Sequence, residues 1–484
     1  MNKAVGKYKS LPVQVRASFW FLICSFLQKG IQVISTPIVT RILTTSEYGQ
    51  YSVFDSWLKI LTIFITLQIC AGVYAQGLVK FSDDRHVFSS SLQGLSLLLA
   101  FVWTVIYLLF REFWNRLFSL TTVQMLAMIV MIWATSAFHF WSTEQRVENK
   151  YRNLVIATLI VSIAKPAVGI IFIILADDKV TAYILAIAIV ELIGYIGFFI
   201  IQMRKGRTFF SSKYWKYAIA FNLPLVPHYL SQNVLNSADR IMIENMVGSS
   251  EAGIYGLAYS ISLVMTLFNT ALSQTLGPWI YQKIKDKKNK DIAPIAYVTL
   301  VIIAAVNLVL ILLAPEAVAI FSPKAYYEAI YVIPPVAMSV FFMFAYDLFA
   351  KFAFYYEKTI VIMIASISGA MLNIILNYFF INLFGYIAAG YTTLVCFMVY
   401  AIVHYLFMRK VCRECCDGDY PYDTRKILMI TIPFLIAGFA FLATYHLPVV
   451  RYGIVCVLII FAVIFRKRII NTVKKLIKLR KHKS

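Results

Sequence analysis

Arg41-Ile42 followed by Glu47-Tyr48-Gly49-Gln50-Tyr51 returns as Arg240-Ile241 followed by Glu251-Ala252-Gly253-Ile254-Tyr255. Each copy comes just after a long apolar run, and the two glutamates stand 204 residues apart. A phrase repeated at that distance in so apolar a chain marks an internal duplication. Duplicated membrane folds place two similar helix bundles face to face, with polar sites between them.

Composition carries the membrane reading outward from that phrase. The 484 residues are 61% hydrophobic and only 14% charged, with a mean hydropathy of +0.76, which excludes a water-soluble domain. Crossing a hydrocarbon core of ~30 Å takes about 20 apolar helical residues. Fourteen such runs are predicted: 18–40, 51–75, 87–110, 118–140, 154–175, 181–202, 216–237, 252–276, 293–313, 330–350, 359–381, 384–407, 427–445 and 450–465. Runs this long are helices, since barrel strands would be shorter and would alternate. The expected fold is therefore an all-α polytopic membrane protein of about 14 transmembrane helices. It divides into an N-terminal lobe over 1–212, a C-terminal lobe over 213–410, and a final helix pair with a basic tail over 411–484.

The net charge of +22 could suggest nucleic acid, but the positions of the charges argue otherwise. With a cytosolic amino terminus, most of the 45 Lys and Arg fall in the tails and inward loops. That is the positive-inside pattern, and it predicts a multi-pass protein of a bacterial cell (inner) membrane with both termini in the cytosol. The basic run Arg466 to Lys483 suits anionic headgroups, although a solvated charged tail would look the same. No cleavable signal peptide is read ahead of the first span. The cluster Cys412, Cys415 and Cys416 reads either as reduced thiols or as an incomplete soft-metal site.

Polar residues three or four apart inside an apolar helix mark one face turned away from lipid. The first span carries Ser25, Gln28, Lys29, Gln32 and Thr36, and the second Ser52, Asp55, Ser56, Lys59, Thr62 and Thr66. The equivalent spans of the second half repeat the pattern with His228, Ser231, Gln232, Asn233 and Asn236, then Tyr255, Tyr259, Ser262, Thr266, Asn269 and Ser273. Lys29 has no acid in its own helix, and a lysine near the bilayer centre costs about 2.5–3.5 kcal/mol, so a water-filled cationic cavity is expected around it. Lys165 and Glu191, each mid-span in consecutive helices, fit either an interhelical ion pair or a functional pair. Asp55 and Lys59 could neutralise each other along one helix. Pro224 and Pro227 interrupt the seventh span beside His228 and suggest a bending gate. Asn373 and Asn377 share one face of the eleventh span, where their amides could meet sugar hydroxyls.

The residues together resemble the polysaccharide-repeat-unit (O-antigen or capsule) flippases of the multidrug/oligosaccharidyl-lipid/polysaccharide exporter superfamily. The likeness rests on the Arg41 to Tyr51 phrase, on Pro224 followed by Ser237-Ala238-Asp239-Arg240, on Gly253-Ile254-Tyr255 with Tyr259, on Phe321 to Ala329, and on Asn373 and Asn377 before Gly385 and Gly390. It implies two pseudo-symmetric six-helix lobes in a V, with two C-terminal helices beside a groove for a lipid tail. It also implies a cargo, a polyprenyl-pyrophosphate-linked oligosaccharide moved by alternating access from the cytosolic to the outer leaflet for surface polysaccharide assembly. Lys29, Lys59 and Lys165 would neutralise pyrophosphate. The amides and hydroxyls of Gln28, Gln32, Gln232, Asn236, Asn269, Asn373 and Asn377, together with Tyr255 and Tyr259, would face sugar. Asp55, Glu191 and His228 are candidates for proton or sodium coupling, with the membrane potential as another energy source and no cofactor expected. Arg41, Glu47, Gly49, Tyr51, Asp239, Arg240 and Gly253 read as architecture at the external gate.

The implied partners are membrane lipids and the polymerase and glycosyltransferases of the same pathway, not nucleic acid. Two exporters of the same superfamily compete with this reading. A multidrug exporter would carry acids rather than Lys29 in its first helix, whereas a peptidoglycan-precursor exporter would carry the same charge on its cargo. A membrane polymerase or acyltransferase is the alternative of another class. The expectation is a non-enzyme, because no paired carboxylates, no HEXXH, no nucleophile with its base and no external domain are visible.

Overall fold

Long apolar runs have only one way to satisfy their backbone groups within a single segment, and every regular element among the described residues is accordingly helical. The structure is a computed structural model describing residues 13–416 and 418–464. The basic run Arg466 to Lys483 lies outside the described residues. Contacts gather the chain into two units, 1–237 and 238–484.

Unit 1 contains α1 (Val13–Ile42), α2 (Thr45–Thr66), α3 (Tyr74–Lys80), α4 (Arg85–Leu109), α5 (Arg111–Phe118), α6 (Thr122–Val147), α7 (Tyr151–Leu175), α8 (Lys179–Gly206) and α9 (Ser212–Asn222). A single 3-10 turn, Leu223–Leu225, leads into α10 (Val226–Met246), whose residues up to Ser237 belong to this unit. Unit 2 takes the rest of α10, then α11 (Ser249–Leu263), α12 (Thr266–Lys285), α13 (Ile292–Leu312), α14 (Ala314–Phe321), α15 (Ala329–Tyr355), α16 (Thr359–Phe384), α17 (Ala388–Cys415), α18 (Thr424–Ala443) and α19 (Pro448–Ile464).

Among the described residues, 11 helices are long and apolar enough to cross a membrane, α11 and α12 counting together as one. Three of the fourteen predicted spans fall outside that set, for identifiable reasons. Helices α2 and α10 carry the polar stripes, and α19 is 17 residues long. The run over 51–75 is not one helix. It stops at Thr66, where Leu67 and Gln68 both take left-handed backbone angles (φ 48° and 50°) that cost a non-glycine residue about 1–2 kcal/mol each. The chain then turns into α3, and the turn packs so tightly that a Cβ on Gly72 would lie 1.9 Å from Asn222 Oδ1. The seventh run breaks at Leu223–Leu225 around Pro224, and the eighth divides between Leu263 and Thr266 without any proline or glycine at the break.

The duplicated phrase has a local structural cause. Glu47 sits three residues into α2 and completes a capping box, accepting from the Thr44 backbone N–H at 2.7 Å while Thr44 Oγ1 accepts from the Glu47 N–H at 3.2 Å. Glu251 occupies the same position in α11, with its carboxylate folded back 2.9 Å from where a Cβ on Gly248 would stand. In both units the glutamate satisfies or shields a helix start that would otherwise leave bare N–H groups.

Each unit packs around one central helix. In unit 1 it is α6, with 67% of its apolar window buried, and in unit 2 it is α15, with 83%. Unit 1 also contains an internal polar seam. Gln93 donates to Gln202 Oε1 at 2.7 Å and to the Ala137 carbonyl at 3.1 Å, while Gln202 donates to Glu144 Oε2 at 2.7 Å. These groups join α4, α6 and α8, and each is nearly fully enclosed. In unit 2 the α18–α19 pair is tied on by Tyr445, which donates to the Ile311 carbonyl at 2.7 Å, and by Arg451, paired with Glu316 at 2.5 Å.

Candidate functional site

The polar stripe of α1 divides into two directions. Gln28 donates to Ser162 Oγ of α7 at 3.3 Å, so it is turned toward its neighbour. Lys29 and Gln32 are exposed on the surface of unit 1, and Thr36, half-buried, returns its hydroxyl to the Gln32 carbonyl at 2.8 Å. Lys29 makes no hydrogen bond or ion pair among the described residues. It does lie within electrostatic range of Lys59 and Asp55 on α2. Those two pair with each other at 2.6 Å across one helical turn, both partly exposed.

A second charged pair lies deeper. Lys165 of α7 meets Glu191 of α8, and Thr135 of α6 donates to the other Glu191 oxygen at 3.2 Å. Glu191 is buried, whereas Lys165 keeps about a third of its side chain exposed. Glu191, His139, Thr135 and Ser136 line one side of a cavity of about 260 Å³, and Thr62, Thr66 and Gln68 of α2 and its broken end line the other. Three ammonium groups stand against two carboxylates in this part of unit 1. Asp55 pairs with Lys59 and Glu191 with Lys165, and Lys29 has no ion pair of its own among the described residues.

Unit 2 uses its polar residues differently. Asp239 is fully enclosed and accepts from Tyr255 at 2.6 Å, Thr393 at 2.7 Å and Asn377 at 2.6 Å. Asn377 also donates to Asn373 Oδ1 at 3.2 Å and accepts from the Thr392 hydroxyl. Arg240 lies 5.0 Å from the centre of the Tyr259 ring, and both are buried. One carboxylate thus draws α10, α11, α16 and α17 together through neutral donors. Farther along, Lys351 donates to Asp347 at 2.8 Å and to Ser273 at 3.0 Å. Asn269 donates to the Val340 carbonyl at 2.8 Å.

The remaining predicted residues are placed as follows. His228 and Gln232 of α10 are half-buried, His228 with no partner for Nδ1, and Asn236 donates to the Gln232 carbonyl at 2.7 Å. Pro227 lies in the first turn of α10 and accepts from Ser231 at 2.7 Å through its carbonyl. Arg41 folds back on the Pro37 carbonyl at 2.7 Å, and Tyr51 meets the edge of Tyr183 at 4.8 Å. Gly49 and Gly253 are buried near the starts of their helices. Cys412, Cys415 and Cys416 are unbridged. The structure therefore brings Lys29, Asp55 and Lys59 together and, separately, Asp239, Tyr255, Asn373 and Asn377. Three residues of functional interest were missed in the sequence. Thr135 and His139 line the cavity from a mostly apolar run, and Thr393 is one of many hydroxyls in α17. Only the i, i+4 spacing of Thr135 and His139 gave any signal.

Comparison with known proteins agrees with this architecture. A family profile described as MatE matches residues 224–379. An uncharacterized membrane protein of Haemophilus influenzae is 21% identical over 378 residues, covering 74% of this chain and 88% of the relative. Among solved structures, the lipid II flippase MurJ in an inward closed conformation superposes with a TM-score of 0.71 at 15% identity, covering 92% of this chain and 99% of MurJ. An inward-facing multidrug resistance MATE family transporter gives 0.60 at 14% identity, covering 81% and 96%. At such identities the likeness is one of fold, shared with a flippase and with a transporter of the MOP superfamily. The profile of the family described as "Polysaccharide biosynthesis protein" matches residues 15–284, more than half of the chain, and the chain belongs to that family.

Proposed function

We propose that the protein flips a polyprenyl-pyrophosphate-linked oligosaccharide from the cytosolic to the outer leaflet of a bacterial inner membrane, by alternating access, for surface polysaccharide assembly. The observation that carries this reading is Lys29, an exposed and unpaired ammonium in the middle of an apolar helix. Left against lipid it would cost about 2.5–3.5 kcal/mol, and a pyrophosphate headgroup is the cargo that turns that cost into binding. Lys59 stands within electrostatic range of Lys29 and Lys165 lies on α7, the helix that Gln28 bonds, each held by an acid it can leave when a stronger anion arrives. Gln28 and Gln32 offer amide donors beside them. The lipid tail stays in the bilayer, so the protein has only to carry the polar head.

The work is transport, not bond making. A cationic cargo, as expected for a multidrug exporter, would be repelled by the same lysine. Asp55, Glu191 and His228 are the proposed coupling groups, since a proton taken by Glu191 would release Lys165. Depletion of the protein tests the proposal directly. Lipid-linked repeat units should accumulate in the cytosolic leaflet while lipid II distribution stays normal. Accumulation of lipid II instead would make the cargo a peptidoglycan precursor, and normal translocation with unpolymerised units outside would replace transport by catalysis.

A further inference from the structure

Away from the charged face of unit 1, unit 2 holds a hollow of about 630 Å³ where α13 and α18 both begin. Tyr297, Tyr420, Tyr422, Lys290 and Lys426 line it, with Asp423 at its rim. Both helices lead from here into long apolar stretches, so the hollow stands at the level where a membrane surface would lie. Tyrosine and lysine together are the residue types of that boundary. We infer that this hollow is a binding site for the phosphate headgroup of an anionic phospholipid.

The chemistry of the walls favours an anion. Lys426 lies 5.8 Å from the centre of the Tyr297 ring, and Lys290 is almost wholly exposed, held only by Asp419 at 3.6 Å. Arg409 lies over the Tyr420 ring at 4.8 Å. The acids near the hollow are already engaged. Asp423 accepts from the Arg425 N–H at 2.8 Å as the cap of α18, and its own N–H donates to the Tyr297 hydroxyl at 2.6 Å. Lys283 and Asp291, close in sequence, pair at 2.6 Å and cancel each other. Both helix starts add partial positive charge. Tyr422 is buried, and its hydroxyl finds no partner in the protein.

A lipid is favoured over a soluble anion because the apolar surface continues from the hollow. Val301, one turn beyond Tyr297 on α13, is 51% exposed, and Met429, one turn beyond Lys426 on α18, is 73% exposed, an apolar ridge leading away from the hollow. A phosphate in the hollow would have its acyl chains run along that ridge. The site is independent of the cargo and does not involve Lys29.

The test uses the full-length purified protein, delipidated and titrated with phosphatidylglycerol, with phosphatidylcholine of the same chains, or with inorganic phosphate, and bound lipid is counted by native mass spectrometry. Wild type should bind phosphatidylglycerol at least tenfold tighter than phosphatidylcholine. Lys290→Ala with Lys426→Ala should weaken phosphatidylglycerol roughly fivefold per lysine removed. The Lys290→Arg and Lys426→Arg pair should keep it within about threefold, and Lys80→Ala with Lys213→Ala, in unit 1, should leave it unchanged. Undiminished phosphatidylglycerol binding by the alanine pair would overturn the site. Equal binding of the two lipids by wild type would overturn the anion, and full occupancy by inorganic phosphate with no gain from a lipid tail would overturn the lipid.

Discussion

The two halves begin from the same phrase and spend their polar residues in opposite ways. In unit 2, Asp239 is surrounded by Tyr255, Thr393 and Asn377, and both of its carboxylate oxygens accept from neutral donors inside the protein. In unit 1, the equivalent pair of helices leaves Lys29 on the surface with no partner among the described residues and places a second lysine, Lys59, within electrostatic range of it. Each half has a helix pair whose second helix carries a glutamate at its third position. What differs is whether the polar face is closed by its own side chains. A closed face holds helices together, and an open charged face is left for something that arrives. On the proposed function, unit 2 is the clamp and unit 1 the place where charge would be recognised.

The sharpest way to break this comparison is to remove the clamp. Asp239→Ala strands three buried donors at about 1–3 kcal/mol each, so stability should fall by about 3–9 kcal/mol and the protein should largely disappear from the membrane. Asp239→Asn, which still accepts from at least one neighbour, should recover part of it. Thermal melting and quantified membrane abundance decide. If Asp239→Ala is stable but inactive, unit 2 carries function and the contrast between the halves fails.

Lys29→Ala should do the reverse. Transport should drop about a hundredfold or more, whereas abundance stays near wild type and the melting temperature is unchanged or rises, because the substitution relieves a cost of about 2.5–3.5 kcal/mol. Lys29→Arg should retain measurable transport. Loss of abundance in Lys29→Ala would move this lysine to the structural side. The Lys165–Glu191 pair should fall between the two. Removing Lys165 strands a buried carboxylate and should cost about 3 kcal/mol, while removing Glu191 frees a lysine that already reaches solvent and should cost less. A double variant that recovers stability over Lys165→Ala, measured by melting, would confirm that asymmetry.

These expectations also show what was legible in the chain. The helical fold followed from run length, and the shared placement of Glu47 and Glu251 at the third position of their helices from the phrase itself, because a helix start is a local feature. Lys29 was legible because a lone charge in an apolar run has few explanations. The break after Thr66 was not, since Leu67 and Gln68 carry no mark of left-handed backbone and adopt it only because the chain must turn into α3. The Asp239 cluster was half legible. Asp239, Asn373 and Asn377 were each singled out, but their meeting is a matter of helix packing between residues 138 positions apart, which no spacing rule along one helix contains.

The smallest expected effect is the most discriminating for the open face. Asp55 and Lys59 form an exposed i, i+4 pair, worth only about 0.3–0.5 kcal/mol, so exchanging them as Asp55→Lys with Lys59→Asp should barely move the melting temperature. Net charge is conserved, but the ammonium is displaced by one helical turn, about 5.4 Å, relative to Lys29. If the face binds a pyrophosphate through several fixed ammonium groups, transport should fall severalfold in the exchanged protein while abundance holds. If it merely collects positive charge, transport should be unaltered, and the contrast between the halves would then rest on Lys29 alone. Geometry and total charge are separated by this exchange because the pair is too weak to matter for stability.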